Sequence, residues 1–238
     1  MEKLYLIMPA YNEEANIKDV VDEWYPIVER YSGDGQSRMV VIDDGSQDRT
    51  YEILEEMAKD RPLLCPLTKR NEGHGATVLF GYQYALNHNA DYIFQTDSDG
   101  QTVAEEFCEF WKLRKQYDLI IGWRNKRQDG ILRTVVTKIL KIVIFFCFNV
   151  SVKDANTPFR LMSAKTLREN IKDIPQGFNL SNVLLTVIYE KRNASVKYIP
   201  ITFGKRRGGK NSINIHKIIS IGKQAVLDFI RLNKALTQ

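Results

Sequence analysis

Cysteine is scarce and scattered: Cys65, Cys108 and Cys147 lie far apart, with no Cys-x-x-Cys pair and no histidine at ligand spacing. That excludes a disulfide scaffold and a zinc finger, and it fits a reducing compartment. With 7 Pro and 14 Gly, and neither repeats nor linkers, the chain is not a low-complexity polymer. Long apolar runs are also missing. The most apolar stretch, residues 139–150, is broken by Lys141 and Asn149 and falls short of the roughly 20 residues needed to cross a bilayer. The sequence opens directly into a strand-like run, so no signal peptide is expected there. Neither a Gly-x-Gly-x-x-Gly turn nor a Walker loop occurs, which removes the common glycine-rich phosphate cradles.

What is present reads as one α/β domain. The 238 residues are 44% hydrophobic and 26% charged, enough to bury a sizeable core. The net charge is +5, but it is unevenly placed: from Lys197 onward nine Lys or Arg face a single acid, Asp228. A basic end on a slightly acidic body calls for an anionic partner, whether phosphate, nucleic acid or membrane surface. Apolar runs at 4–8, 39–42, 63–67, 92–95 and 119–121 read as strands. The periodic segments between them, among them Ile17, Val20, Val21, Trp24 and Val28, read as helices. Alternation of this kind predicts a mostly parallel sheet covered by helices, with ligands at the carboxyl ends of its strands. The polar clusters fall there: 11–13, 43–44, 97–101 and 123–124.

Asp97 and Asp99 stand two residues apart after an apolar strand, a spacing that lets both reach one hard cation, with Gln101 adding a neutral oxygen. Mg²⁺ or Mn²⁺ takes one or two carboxylates and keeps room for substrate phosphates. Read alone, the same segment is a solvated turn, since Asp, Ser and Gly favour turns. Asp43-Asp44-Gly45-Ser46 is similarly double-edged: an Asp there suits a base or ribose, while Ser46 or Asp48 suits a helix cap.

Four segments in order, Pro9-Ala10-Tyr11-Asn12-Glu13, residues 41–48, Asn71-Glu72-Gly73-His74-Gly75-Ala76 and Asp97-Ser98-Asp99, resemble the family 2 glycosyltransferases, which have the A-type fold. Later segments resemble the dolichyl- and polyprenyl-phosphate sugar synthases. These are Asp154 to Arg160, where Thr157-Pro158 replaces Ser-Gly, and Arg206 to Ile213. The resemblance implies a catalytic domain over 1–205, with an interfacial helix at 133–148, followed by a basic loop and amphipathic helix over 206–238. It implies an inverting, metal-dependent transfer of a sugar from a UDP- or GDP-linked donor to a lipid phosphate. Donor contacts fall on Pro9, Ala10, Tyr11, Glu13, Asp43, Asp44, Asn71, Gly73, Asp97 and Ser98, and metal ligands on Asp97, Asp99 and Gln101. Acceptor phosphates fall to Arg124, Arg160, Arg206, Arg207 and Ser212, since guanidinium forks suit phosphate oxygens. Asp154 is the candidate general base, needed if the acceptor is a sugar hydroxyl.

The helix at 133–148 carries Lys138 and Lys141 among large apolar residues, and the tail places Ile215, Ile218, Ile219, Ala225, Val226, Phe229 and Ile230 on one stripe. Both suit the cytoplasmic face of an anionic membrane. A core helix and a partner subunit are the respective alternatives. Extension of a saccharide chain is the competing function within the family, and sugar nucleotidylyl transfer the competing enzyme class. Nucleic-acid binding is not expected, because the acidic clusters would then have no purpose.

Overall fold

The structure, a computed structural model, describes residues 2–33, 35–124, 131–175 and 177–206, together with Asp228, Phe229 and Asn233; for 131–136 it describes the backbone alone. Seven strands form one sheet: β1 (Leu4–Ala10), β2 (Arg38–Asp43), β3 (Leu64–Thr68), β4 (Tyr92–Gln95), β5 (Leu119–Arg124), β6 (Arg160–Ser163) and β7 (Val196–Ile201). Their order is β3-β2-β1-β4-β6-β5-β7. Only β6 runs against its neighbours. The helices are α1 (Ile17–Arg30), α2 (Thr50–Ala58), α3 (His74–Asn87), α4 (Phe107–Leu113), α5 (Ile131–Phe148), α6 (Ala164–Asn170) and α7 (Ser181–Lys191).

Strand side chains alternate between faces, and here both faces are buried. From β1, Tyr5 and Ile7 join one core with Val78 and Tyr82 of α3, Ile144 and Phe148 of α5, and the buried side of α7. Leu4, Leu6 and Met8 join the other with Val20, Val21, Trp24 and Val28 of α1 and Phe107 and Phe110 of α4. This explains why the central strands read as continuous apolar runs. Helix α3 lies tight on β1, because a Cβ on Gly81 would come within 2.4 Å of Ile7 Cγ2.

Several element limits differ from the sequence expectation. Strand β1 continues through Pro9, pairing it with Ile42. Its other neighbour, β4, stops pairing at Ile7, so the missing Pro9 N–H breaks no ladder on that side. Helix α3 begins at His74, two residues before Ala76, where the sequence pattern reads its start. Strand β5 extends to Arg124, paired with Ile201. Strand β6 was not legible: four residues, Arg-Leu-Met-Ser, carry no alternation long enough to read.

Of the C-terminal part, Phe229 is buried against Phe148 (5.3 Å) and Phe178 (6.2 Å). Asn233 accepts from Lys191 Nζ at 2.5 Å. At these points the tail packs on α5, α7 and the loop before α7. The rest of its expected stripe, and with it Arg207 and Ser212, lies outside the described residues.

Candidate active site

Because β1, β2, β3, β4, β5 and β7 run in parallel, their carboxyl ends open on one edge. Antiparallel β6 starts on that same edge, with Arg160 opposite Gln95 and Ile121. Segments far apart in sequence therefore meet: 11–14, 43–48, 69–74, 97–101, 123–124, 154–160 and 203–206.

Short polar side chains stitch the first two segments together. Asn12 adopts a positive φ of 53°, with its N–H on Ser46 Oγ (2.8 Å) and its Oδ1 accepting from Gln47 N (2.8 Å). Thr50 Oγ1 receives Glu13 N at 2.8 Å. Asp48 receives Glu14 N, Thr50 N and the Thr50 hydroxyl, so its carboxylate meets the first amide of α2. Ser46 caps no helix; its oxygen serves the Asn12 loop.

The two adjacent aspartates have separate tasks. Asp43 is buried and accepts from Ser46 N (3.2 Å) and Thr68 Oγ1 (2.9 Å). Asp44, expected at the donor, instead holds the loop after β3. It takes Lys69 Nζ at 2.8 Å, Glu72 N at 3.0 Å and Gly73 N at 2.9 Å. Burial opposes its charge, yet Lys69 and the amide donors hold its carboxyl below the usual range. Asn71 is exposed, and its backbone packs on Gly45 so closely that a Cβ on Gly45 would lie 2.9 Å from Asn71 N.

The acidic turn leaves β4 under tight control. Thr96 N–H donates to Ile7 O at 3.1 Å, and Ser98 Oγ donates to Pro9 O at 2.8 Å. Ser98 is thus a hook between strand ends, its hydroxyl proton given to Pro9 O. Gln101 N–H donates to Asp99 Oδ1 at 3.1 Å, while its side-chain amide donates to Gly204 O at 2.8 Å. That fixes which end of the carboxamide is nitrogen and leaves its oxygen as the acceptor. Burial, and then the neighbouring Asp97 charge, push the Asp99 carboxyl up to about 6. A carboxyl raised by burial and by a second carboxylate beside it suits a shared cation. Among the described residues no three His, Cys, Asp or Glu side chains group as a closed metal site. Two carboxylates and one amide oxygen suit an ion whose remaining shell substrate oxygens would complete.

One participant was not singled out from sequence. His74 Nε2 lies 2.9 Å from Asp97 Oδ1. Desolvation opposes its protonation, but Asp97, Asp99 and Asp44 together raise its pKa. It lies within residues 71–76 and is one of three histidines in the chain; starting α3 at His74 brings its ring to Asp97.

The basic residues divide sharply. Arg160, expected to clamp phosphate, has no exposed surface. Its five N–H donors go to the carbonyls of Thr157, Ala155 and Asn182 and to Thr186 Oγ1. It has no face left for a ligand and instead ties the 154–157 loop to α7. Arg124 and Asp154 form a buried fork, two bonds of 2.8 Å, with the guanidinium 5.0 Å from the Phe203 ring centroid. Both oxygens of the Asp154 carboxylate are thus engaged by the guanidinium. The guanidinium expected to meet phosphate and the carboxylate expected to act as base thus face each other. Arg206 does reach the pocket, where it pairs with buried Glu13. Burial raises the Glu13 carboxyl, offset in part by Asn16 and Arg206. Tyr11 stands at the pocket mouth, 43% exposed.

A mostly parallel sheet of this order, with an Asp-x-Asp turn at its carboxyl edge, defines the A-type glycosyltransferase fold. Solved structures agree. Glucosyl-3-phosphoglycerate synthase from Mycobacterium tuberculosis, in complex with Mn²⁺, UDP-glucose and phosphoglyceric acid, superposes with a TM-score of 0.70 at 16% identity, covering 98% of this chain and 80% of that one. S. aureus TarS 1–349 with UDP-GlcNAc gives 0.65 at 16% identity, covering 95% and 66%. The family described as Glycosyl transferase family 2 matches residues 5–179, and the chain belongs to it. It is 22% identical over 219 residues to an undecaprenyl-phosphate 4-deoxy-4-formamido-L-arabinose transferase from Pseudomonas fluorescens, covering 91% of this chain and 62% of the relative. It is also 26% identical over 243 residues to the dolichyl-phosphate beta-glucosyltransferase ALG5D of Trichomonas vaginalis, covering 95% and 73%. The match thus spans less than two thirds of the Pseudomonas protein's length.

Proposed function

We propose that the protein is a metal-dependent, inverting glycosyltransferase that moves a sugar from a nucleotide diphosphate to a polyprenyl-type lipid phosphate. The observation that carries this reading is the acidic turn. Asp97 and Asp99 share a partly buried pocket at the carboxyl edge of the sheet, and the pocket's electrostatics favour a cation. Family membership and the names of the relatives support the donor and the acceptor class.

Asp97, Asp99 and the Gln101 amide oxygen would hold Mg²⁺ or Mn²⁺. Such an ion neutralises charge that grows on a diphosphate leaving group. Tyr11 offers its ring to the base, and Asp43 and Glu13 line the nucleotide side with the backbone of Pro9, Ala10 and Gly73. Arg206, which pairs with Glu13, would meet a phosphate, with Arg207 and Ser212 following it in sequence. With Asp154 committed to Arg124, the acceptor that suits the pocket is one that arrives ionised. A lipid phosphate does, whereas a sugar hydroxyl needs a base.

Helix α5 supplies a membrane contact. Ile139, Ile142, Phe145 and Phe146 are exposed, Phe146 to 80%, beside exposed Lys138, while Ile144 and Phe148 face the core. An apolar patch edged by lysine suits the headgroup boundary of an anionic bilayer. Among the described residues no helix is long and apolar enough to cross one.

The test is a thermal-shift panel of UDP- and GDP-sugars, with and without Mn²⁺, followed by transfer of labelled sugar into organic-extractable lipid. One nucleotide sugar should stabilise the protein only with metal present, and label should enter the lipid fraction. Full turnover in excess chelator would remove the metal. Label confined to water-soluble saccharide would favour chain extension instead.

A further inference from the structure

We infer that His74 is a positioning residue for Asp97, held in place by an ion pair at the end of the neighbouring strand. The inference rests on the metal-dependent reading above. A carboxylate that ligates an ion must present one oxygen in a fixed direction, yet an aspartate side chain turns about two bonds. Asp97 Oδ1 is taken by His74 Nε2 at 2.9 Å, so the second oxygen is the one available to a cation.

His74 owes its place to contacts from two sides. It is the first residue of α3. The preceding Gly73 has φ +90°, a conformation that side-chain-bearing residues rarely adopt. Gly73 N–H and Glu72 N–H both donate to the Asp44 carboxylate, and Lys69 Nζ holds that same carboxylate at 2.8 Å. On the far side Gly75 presses on the loop before α7, where a Cβ would sit 2.5 Å from Phe178 O. The start of α3 is thus clamped between Asp44 and residues 178–179, and the imidazole is carried on it. A chain of contacts runs from Lys69 through Asp44, Gly73 and His74 to Asp97. It gives Asp44 a purpose at one remove from the ligand, and it uses the one histidine that reaches the acidic turn among the described residues.

Loss of an outer hydrogen bond to a ligand side chain lowers metal affinity or activity by roughly 10–100-fold. The experiment titrates Mn²⁺ into the full chain with UDP present, following free Mn²⁺ by electron paramagnetic resonance. His74→Ala should weaken Mn²⁺ binding by roughly 10–100-fold, with metal-free melting unchanged. His74→Gln, whose amide nitrogen falls where Nε2 stood, should recover most of it. His74→Asn is measured alongside as a polar control at the helix start. Its shorter amide keeps a polar side chain but does not reach Asp97, and it should bind Mn²⁺ as poorly as the alanine variant. An alanine variant with wild-type Mn²⁺ affinity overturns the inference. So does a glutamine variant as weak as alanine, since imidazole charge would then matter and not the hydrogen bond. A wild-type protein that binds no Mn²⁺ with UDP brings down the metal reading and this inference together, an outcome distinct from the other two.

Discussion

Asp99 and Asp154 are both carboxylates of the pocket, and their surroundings drive them apart. Burial and the Asp97 charge raise Asp99 from 3.8 to about 6. A carboxyl whose native pKa exceeds its unfolded value binds extra protons in the native state. Its stabilising contribution is complete below the unfolded value and is lost as pH rises through about 6. In chelator, therefore, melting temperature should fall between about pH 4 and 7 more steeply for wild type than for Asp99→Asn, and saturating Mn²⁺ should remove the difference. Parallel profiles for the two proteins would contradict the assignment. Asp154 answers to a different partner. Asp154→Asn leaves buried Arg124 unpaired and should cost about 3–5 kcal/mol in urea denaturation. Replacing both residues by Met and Leu should restore much of that loss, a coupling read by a double-mutant cycle. An Asp154→Asn protein of normal stability that loses only turnover would return it to the role of base.

At the scale of elements, the pocket is held by parts whose polar groups are spent on the backbone. Strand β6 enters the sheet antiparallel, and its first residue, Arg160, binds the carbonyls of the loop before it and of α7. Lysine has one ammonium where arginine has a planar fork. Arg160→Lys should orphan at least one buried carbonyl, costing about 1–3 kcal/mol for each group left unpaired. Equilibrium unfolding measures this, and retained stability would show that the fork is dispensable. The segment from Asp154 to Arg160 was legible as a motif, but its arginine bonds to backbone carbonyls. Phosphate recognition and backbone capping ask for the same residue type, so only the position of the carbonyls separates them.

For the whole molecule, the uneven charge and the exposed side of α5 bear on where the protein works. An apolar patch of Ile139, Ile142, Phe145 and Phe146 beside a lysine is costly in water and useful at a lipid boundary. Ile142→Ser with Phe146→Ser should reduce sedimentation with anionic liposomes while leaving thermal stability and nucleotide-sugar binding intact. Equal sedimentation of variant and wild type would move the membrane contact elsewhere. Phe229, in contrast, is buried against Phe148 and Phe178, so at that point the tail's apolar stripe packs on its own domain.

Sequence alone determined the class of fold and the place of the acidic turn. Alternating apolar runs and helix periods depend on local spacing, and an Asp-x-Asp after a buried strand needs no knowledge of the rest. Tertiary structure decided what each polar residue does. Asp43 and Asp44 are neighbours in sequence, but one meets Thr68 and the other Lys69, Glu72 and Gly73. Arg160 and Arg206 look alike as residues, but one is sealed among carbonyls and the other lies over Glu13. The position of the acidic turn was legible; its contact with His74 was not. A hydrogen bond between residues 23 positions apart exists only because β1 and β4 pair in register and α3 starts at the edge they share.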